Sequence, residues 1–304
     1  RIRVGYVSAD FYSHATANLT YSLYESHDRS AFEVFAYSLG PDDGSDYRRH
    51  IEKTCDHFAD VHAESAEQTA RRIRADGIDV LVDMKVYTAN GRPGIFALRP
   101  APVQVNYLGY PGTSGAKYMD YYLSDPVATP PGMEGEFTEK IVRLPDCYQP
   151  NDREQRIAPS TPTRAACGLP EGAFVFCSFN TLRKIDRVLF AVWMNVLADV
   201  PGSVLWLLEG DALAQRNLRE AAARAGIDPA RLHFAPRAPK PEHLARHRVA
   251  DLFLDTFAYN SHTGGSDALW AGLPLLTFPG GTFAARVGAS LVSAAGLPEL
   301  KIGR

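Results

Sequence analysis

Short runs of β-branched and aromatic residues alternate with segments of helical periodicity along most of the chain, the layout of βαβ units around a parallel sheet. In the first half the pattern predicts strands over Arg3–Ser8, Phe32–Leu39, His57–His62, Asp79–Met84, Val103–Gly109 and Tyr121–Ser124. Between the third and fourth, residues 66–76 place Ala66, Thr69, Ala70 and Ile73 on one face and arginines elsewhere, an amphipathic surface helix. The stretch Gln149–Pro162 has three prolines, four charges and no period, and is expected to be a linker.

Beyond it the alternation restarts. Strands are expected over Phe174–Asn180, Ser203–Leu208, Leu232–Ala235, Asp251–Phe257 and Leu275–Phe278. Helices are expected over Asp186–Asp199, Arg216–Ala225, Glu242–Val249 and Ser266–Ala271. In the first of these the apolar stripe reads Val188, Leu189, Val192, Trp193, Val196 and Leu197. The prediction is an α/β chain of two Rossmann-like lobes facing one cleft, residues 1–155 and 156–304, without an internal repeat. The second lobe is expected to be truncated at its C-terminus.

Charge and composition narrow the class. With 45% apolar and 22% charged residues, the chain of 304 residues can bury a sizeable core and is not a disordered tail. Thirty-two basic against 35 acidic residues leave a formal charge of −3, which argues against a nucleic-acid partner held by bulk positive charge. Cys55, Cys147, Cys167 and Cys177 lie far apart, with no CxxC pair and no histidine at metal-ligand spacing. That pattern fits a reducing compartment, and a cytoplasmic location is expected. No apolar run approaches the roughly 18 residues of a membrane span, and the N-terminus has no signal-peptide layout.

Ligands of such lobes bind beyond the carboxyl ends of the strands, so the residues just after strands carry the chemistry. His14 follows the first strand; it suits proton transfer near neutral pH, or it caps the following helix. Residues 106–115 hold three glycines beside Thr113 and Ser114, a loop able to approach a ligand closely or simply to turn tightly. Neither GxGxxG nor GxxxxGK[ST] occurs, against dinucleotide and P-loop readings. Lys184 lies between the first strand and helix of the second lobe, where a lysine can neutralise phosphate or remain solvated. Lys240, His243 and Arg246 precede a run from Asp255 through His262, Thr263, Gly264 and Gly265 to Asp267. The small-residue turn at His262–Gly265 opens a helix, so its amides point where a diphosphate could lie. Asp267 could accept ribose hydroxyls or complement the helix dipole. No D-x-D motif occurs, so no metal is expected and positive groups would stabilise a departing diphosphate.

The runs Arg3–Phe11 with His14, Phe96–Gln104, Leu108–Gly115, Phe179–Asn180 with Lys184, Ser203–Leu208 and Leu254–Thr256 with His262–Thr263 resemble the catalytic region of the protein O-GlcNAc transferase family, including its SPINDLY-like and bacterial members. The resemblance covers nearly the whole chain in one order. It implies a GT-B fold and an inverting, metal-independent transfer of N-acetylglucosamine from UDP-GlcNAc to Ser or Thr hydroxyls of proteins, with no cofactor. His14 matches the family histidine taken as base or acceptor-site organiser, and Lys184 the lysine that holds the diphosphate. Thr181 falls among the nucleotide-sugar contacts. Lys240, His243 and Arg246 match the uridine side, His262 and Thr263 the diphosphate-binding helix start, and Asp267 the ribose carboxylate.

The departures are Val86-Tyr87-Thr88 where many bacterial relatives have Gly-His-Thr, Thr181 in place of Gln or Asn, Arg183 in place of Tyr or a small residue, and Gly264 in place of a second Thr. The implied partners are a nucleotide sugar and protein acceptors recruited by tetratricopeptide repeats outside this chain, with no membrane or nucleic acid. The rival readings are a GDP-fucose-dependent protein O-fucosyltransferase, against which His262 and Asp267 speak, and a non-catalytic lobe pair that binds nucleotide or protein.

Overall fold

The structure, a computed structural model, describes residues 1–303. The chain divides into two compact units, Arg1–Glu154 and a second that begins at Gln155.

The first unit is built on β1 (Ile2–Ser8), β2 (Phe32–Ser38), β3 (His57–Asp60), β4 (Val80–Asp83), β5 (Val103–Asn106), β6 (Tyr121–Ser124) and β7 (Lys140–Arg143). Its helices are α1 (Ala15–Thr20), α2 (Asp46–Thr54), α3 (Ala66–Ala75) and α4 (Pro93–Ala97). All seven strands run parallel in the order β3-β2-β1-β4-β5-β6-β7. β1 is an interior strand, and five of its seven residues are buried. Helix α3 starts at a capping box in which Ser65 accepts from the Gln68 N–H and the Gln68 side chain accepts from the Ser65 N–H. Its buried residues, Thr69, Ala70 and Ile73, are those of the expected stripe.

The second unit contains β8 (Val175–Ser178), β9 (Val204–Leu208), β10 (Leu232–Ala235), β11 (Leu252–Leu254) and β12 (Leu275–Leu276). Its helices are α5 (Arg187–Asp199), α6 (Ala212–Arg224), α7 (Lys240–His247), α8 (Thr263–Trp270) and α9 (Val287–Ala294). The parallel order is β10-β9-β8-β11-β12. Trp206 in β9 and Phe253 in β11 fill the middle of one core layer. Asp186 caps α5 by accepting from the N–H groups of Val188 and Leu189.

The expected pattern needs correction at the α5 stripe and in the number of elements. The buried stripe of α5 is Leu189, Phe190, Trp193, Met194 and Leu197, whereas Val188 is 70% exposed; the helix is turned so that Phe190 and Met194 replace Val188 and Val192. The division between the two units falls within the segment expected to link them, and that segment is packed at both ends. Gln149 and Asp152 are buried, Asp152 accepts from Ser22 Oγ at 2.6 Å, the Trp270 indole donates to the Gln155 carbonyl, and Ala158 N–H donates to Pro241. Finally, β7 and the helices α2, α4 and α9 lie outside the expected elements, whereas α1 is the helix that one reading of His14 has it cap.

The glycine-rich loop after β5 is held by a buried carboxylate. Glu139 accepts from Ser114 N–H at 2.7 Å, Thr113 Oγ1 at 2.6 Å and Asn106 Nδ2 at 3.3 Å. Burial opposes its charge, but the Ser114 and Thr113 bonds outweigh it and hold the pKa below the usual carboxylate value. In the same loop a Cβ on Gly109 would lie 1.8 Å from the Met84 carbonyl oxygen, so the loop must carry glycine to pass over the end of β4. Gly109→Ala is therefore expected to cost about 2–3 kcal/mol and lower the melting temperature by several degrees, whereas Gly135→Ala, where a Cβ meets nothing within 4 Å, leaves it unchanged or slightly raised. Calorimetry of the two variants checks the contrast.

Candidate active site

In the second unit the strand order reverses between β8 and β11, and the loops after these two strands meet. Asn180 follows β8 and donates through Nδ2 to Ser261 Oγ, 2.5 Å away in the loop after β11. Thr181 leads into a single 3-10 turn, Leu182–Lys184, with its side chain not engaged in capping. Lys184 Nζ donates to the Asn260 carbonyl at 2.7 Å and to Asn180 Oδ1 at 3.2 Å, and lies 4.3 Å above the Tyr259 ring. These hydrogen-bond partners are neutral. Burial lowers the ammonium pKa to about 8, with Asp255 opposing the shift.

Asp255 is buried beneath this loop and fixes its shape, accepting from the N–H groups of Thr256 and Ser261 and from Thr277 Oγ1 at 2.7 Å. Tyr259 stacks on His262 with ring centroids 4.5 Å apart. His262 occupies the N-cap position of α8, and its Nε2 meets the Ala284 carbonyl at 3.2 Å. That nitrogen therefore carries the ring proton, and burial together with the Lys184 charge depresses the pKa to about 3. Thr263 and Gly264 form the first positions of α8, ahead of the first intrahelical bond, Gly265 N–H to the His262 carbonyl. A side chain at Gly264 would meet nothing within 4 Å.

A second cluster joins α7 to α8. Lys240 Nζ donates to Asp267 Oδ1 at 2.5 Å, and His243 Nε2 lies 3.8 Å from Asp267 Oδ2. Arg246 donates to His243 Nδ1 at 2.5 Å and to the Pro236 carbonyl, with its guanidinium 4.7 Å above the Phe179 ring. His243 is thus a neutral ring with its proton on Nε2, held so by burial and by the neighbouring cations. Lys240, His243 and Arg246 sit along a helix rather than at a strand end. Asp267 lies in the second turn of α8, and its partner is Lys240, so the helix dipole is not the reason for a carboxylate there. Phe179, the residue before Asn180, contacts both Arg246 and His243 and so connects the two clusters.

His14 belongs to the first unit. It caps α1, its Nδ1 accepting from Thr16 N–H at 3.2 Å and lying 3.4 Å from Asp10 Oδ2. Asp10 is buried against Lys85, whose Nζ lies 2.7 and 2.8 Å from its two oxygens. Lys85 escaped the sequence reading, although it follows β4 by two residues and so satisfies the same rule that selected His14. Among the described residues no group of three or more His, Cys, Asp or Glu side chains is placed to hold a metal ion, and no helix is long and apolar enough to cross a membrane.

The model of glycosyl transferase family 41 matches residues 1–161 and 152–303. The chain belongs to that family. It is 42% identical over 302 residues to the probable UDP-N-acetylglucosamine–peptide N-acetylglucosaminyltransferase SEC of Arabidopsis thaliana, covering 98% of this chain and 31% of the relative. To the UDP-N-acetylglucosamine–peptide N-acetylglucosaminyltransferase of Caenorhabditis elegans it is 31% identical, covering 99% of this chain and 36% of the relative. The chain therefore spans about a third of these relatives. An O-GlcNAc transferase variant from Thermobaculum terrenum superposes with a TM-score of 0.91 at 32% identity, covering 100% of this chain and 57% of that one. The fold class is GT-B, shared at 13% identity and a TM-score of 0.59 with the lipopolysaccharide outer core galactosyltransferase WaaB, over 98% of this chain and 94% of that one.

Within this family 41 chain the α7–α8 ion pair has a stability signature. Burial raises the Asp267 carboxyl pKa and Lys240 opposes the rise. Without the lysine the folded-state pKa climbs further above its unfolded value, so the folded form binds the proton more tightly and gains stability as pH falls. Lys240→Met is expected to cost about 3 kcal/mol at pH 7 and distinctly less at pH 5, with Lys240→Met/Asp267→Asn recovering most of the loss at pH 7. Denaturant unfolding at the two pH values measures this.

Proposed function

We infer that this chain carries the catalytic core of a protein glycosyltransferase that moves N-acetylglucosamine from UDP-GlcNAc to Ser or Thr hydroxyls. The observation that carries the reading is Lys184, a desolvated cation with neutral hydrogen-bond partners beside the start of α8, in a chain whose family relatives are named for this transfer. A cation so placed is ready for an anion, and the first amides of α8 supply further donors.

We assign the second unit to the nucleotide sugar and the first to the acceptor. Lys184, His262 and Thr263 meet the diphosphate, with Thr181 beside them. Lys240, His243 and Arg246 line the uridine side, and the remaining lone pairs of Asp267 accept ribose hydroxyls. The acceptor oxygen attacks the anomeric carbon on the face opposite UDP, the bond from that carbon to the phosphate oxygen breaks, and its electron pair leaves with UDP, which inverts the centre. Lys184 and the helix start stabilise the charge that grows on the diphosphate, in place of a metal. His14 stands on the acceptor side. Its Nδ1 lone pair is engaged by Thr16 N–H, which favours the organising role over that of base; the hydroxyl proton passes to a phosphate oxygen of the departing UDP, directly or through water. The GDP-fucose alternative is not favoured, since the SPINDLY relative of Arabidopsis thaliana, 33% identical over 98% of this chain and 33% of its own length, also carries a UDP-N-acetylglucosamine name.

The whole protein, wild type and Lys184→Ala, incubated with UDP-GlcNAc or GDP-fucose and a Ser/Thr-rich protein pool, should add one HexNAc to acceptors only in the wild type and only from UDP-GlcNAc. Nucleotide binding without transfer would replace this reading with a binding module. A loss of about 100-fold or more in kcat/KM is expected for the alanine variant. The pH dependence supplies a second check. A lysine with a pKa of about 8 loses its charge as pH rises through that value, so donor kcat/KM should fall above pH 8, and Lys184→Arg should lose this descending limb.

A further inference from the structure

The strand order of the first sheet reverses between β1 and β4, and the loops after these two strands bring Asp10 and Lys85 together across 75 positions of sequence. We propose that Lys85 is a positioning residue: acting through Asp10, it holds His14 as a neutral ring whose Nδ1 faces Thr16 N–H and whose Nε2–H is presented to the acceptor. The proposal rests on the assignment of His14 to the acceptor side made above.

The geometry supplies each link. Asp10 and Lys85 are 3% and 4% exposed, so neither reaches bulk water. Asp10 Oδ2 accepts from Lys85 Nζ at 2.8 Å and from Thr16 Oγ1 at 3.1 Å, and lies 3.4 Å from His14 Nδ1. The same Nδ1 accepts from Thr16 N–H, so in this arrangement the ring proton sits on Nε2. No protein group among the described residues bonds that nitrogen in the structure.

Without a cation, a buried carboxylate 3.4 Å from an imidazole nitrogen would draw a proton onto it and turn Nδ1 from acceptor to donor. Lys85 opposes that pull. Burial lowers the His14 pKa, Asp10 raises it and Lys85 lowers it again. The other ionisable groups around the ring are Tyr12, with its ring centroid 5.6 Å away, and Asp43, which accepts from Ser13 N–H. Asp83 faces Lys85 from the end of β4.

The turn that delivers Lys85 is strained. Val86, a buried β-branched residue, has a φ of +47°, which such residues rarely adopt. Asp83 Oδ1 holds the turn in place, accepting from the N–H groups of Lys85 at 2.8 Å and Val86 at 2.9 Å. Tyr87 Oη donates to the Ser114 carbonyl at 2.6 Å, tying the turn to the glycine-rich loop. A buried ion pair is seldom needed for stability, since apolar residues of similar volume commonly serve as well. Strain maintained by several hydrogen bonds in order to place one ammonium is the mark of a positioned group.

The test is the tautomer and titration of His14 by long-range proton–nitrogen correlation in ¹⁵N-histidine-labelled protein, alongside the kcat/KM pH profile for transfer. Wild type should show the Nε2–H form at pH 7. Lys85→Met should shift His14 toward Nδ1–H and raise its pKa by about one unit or more, moving the acidic limb of the profile upward by the same amount. Lys85→Arg should keep both near wild type, and Lys85→Met/Asp10→Asn, which leaves no uncompensated charge if the single variant fails to fold, should return His14 to a neutral ring. A wild-type Nδ1–H tautomer, or an unmoved His14 pKa in folded Lys85→Met, overturns the proposal. His14→Ala with undiminished transfer would overturn the acceptor-side assignment instead, while the tautomer measurement still decides what Lys85 does to the ring.

Discussion

Everything chemical in this chain depends on one constraint of parallel sheets: where the strand order reverses, the crossovers from two neighbouring strands leave toward opposite sides, and the loops that begin them face each other beyond the carboxyl ends. Each unit has one such point, β1 against β4 and β8 against β11. Each crevice is closed below by a buried carboxylate at the end of the unit's fourth strand. Asp83 accepts two backbone N–H groups of the loop that follows it. Asp255 accepts two as well, with a threonine hydroxyl besides. Burial raises the pKa of both, that of Asp83 to about 6, while the backbone donors act in the opposite direction. The carboxylates shape loops; the lysines above them, Lys85 and Lys184, carry the charge that a ligand or a neighbouring side chain can use.

The two lysines are set differently. Lys85 is neutralised within the protein by both oxygens of Asp10. Lys184 meets an amide oxygen, a carbonyl and an aromatic face, and burial lowers its pKa to about 8 against the opposing pull of Asp255. One cation is committed to an internal partner and the other is held ready. That difference underlies the positioning role proposed for Lys85, which follows the fourth strand of its unit, and the binding role proposed for Lys184, which follows the first strand of the other.

Much of this was legible in the sequence because strands of a buried parallel sheet are dense in β-branched and aromatic residues, and chemistry sits just past them. What escaped reading did so for physical reasons. Helix α9 is made of small apolar residues buried from Val287 to Val292, so no amphipathic period marks it. β7 is an edge strand of four residues without a buried face. The expected strands over Phe174–Asn180 and Asp251–Phe257 stop early, at Ser178 and Leu254; beyond them Asn180 bonds across to Ser261 and Asp255 turns its own loop by accepting from Thr256 and Ser261 N–H. The Lys85–Asp10 pair is invisible to local pattern, since only the return of the chain from β3 past β1 to β4 brings the two loops together.

Val86 shows how such a site tolerates sequence change. A left-handed backbone at a β-branched residue costs about 1–2 kcal/mol, and burying the valine side chain returns about 1.5–3 kcal/mol. Glycine at this place would remove both effects together, so stability alone discriminates weakly between the two residues. What the fold does require is the turn itself: Asp83 gripping the N–H groups of Lys85 and Val86, and Gly109 passing over the end of β4 with no room for a Cβ. Those contacts decide where the ammonium of Lys85 ends, and through Asp10 they decide which nitrogen of His14 keeps its proton.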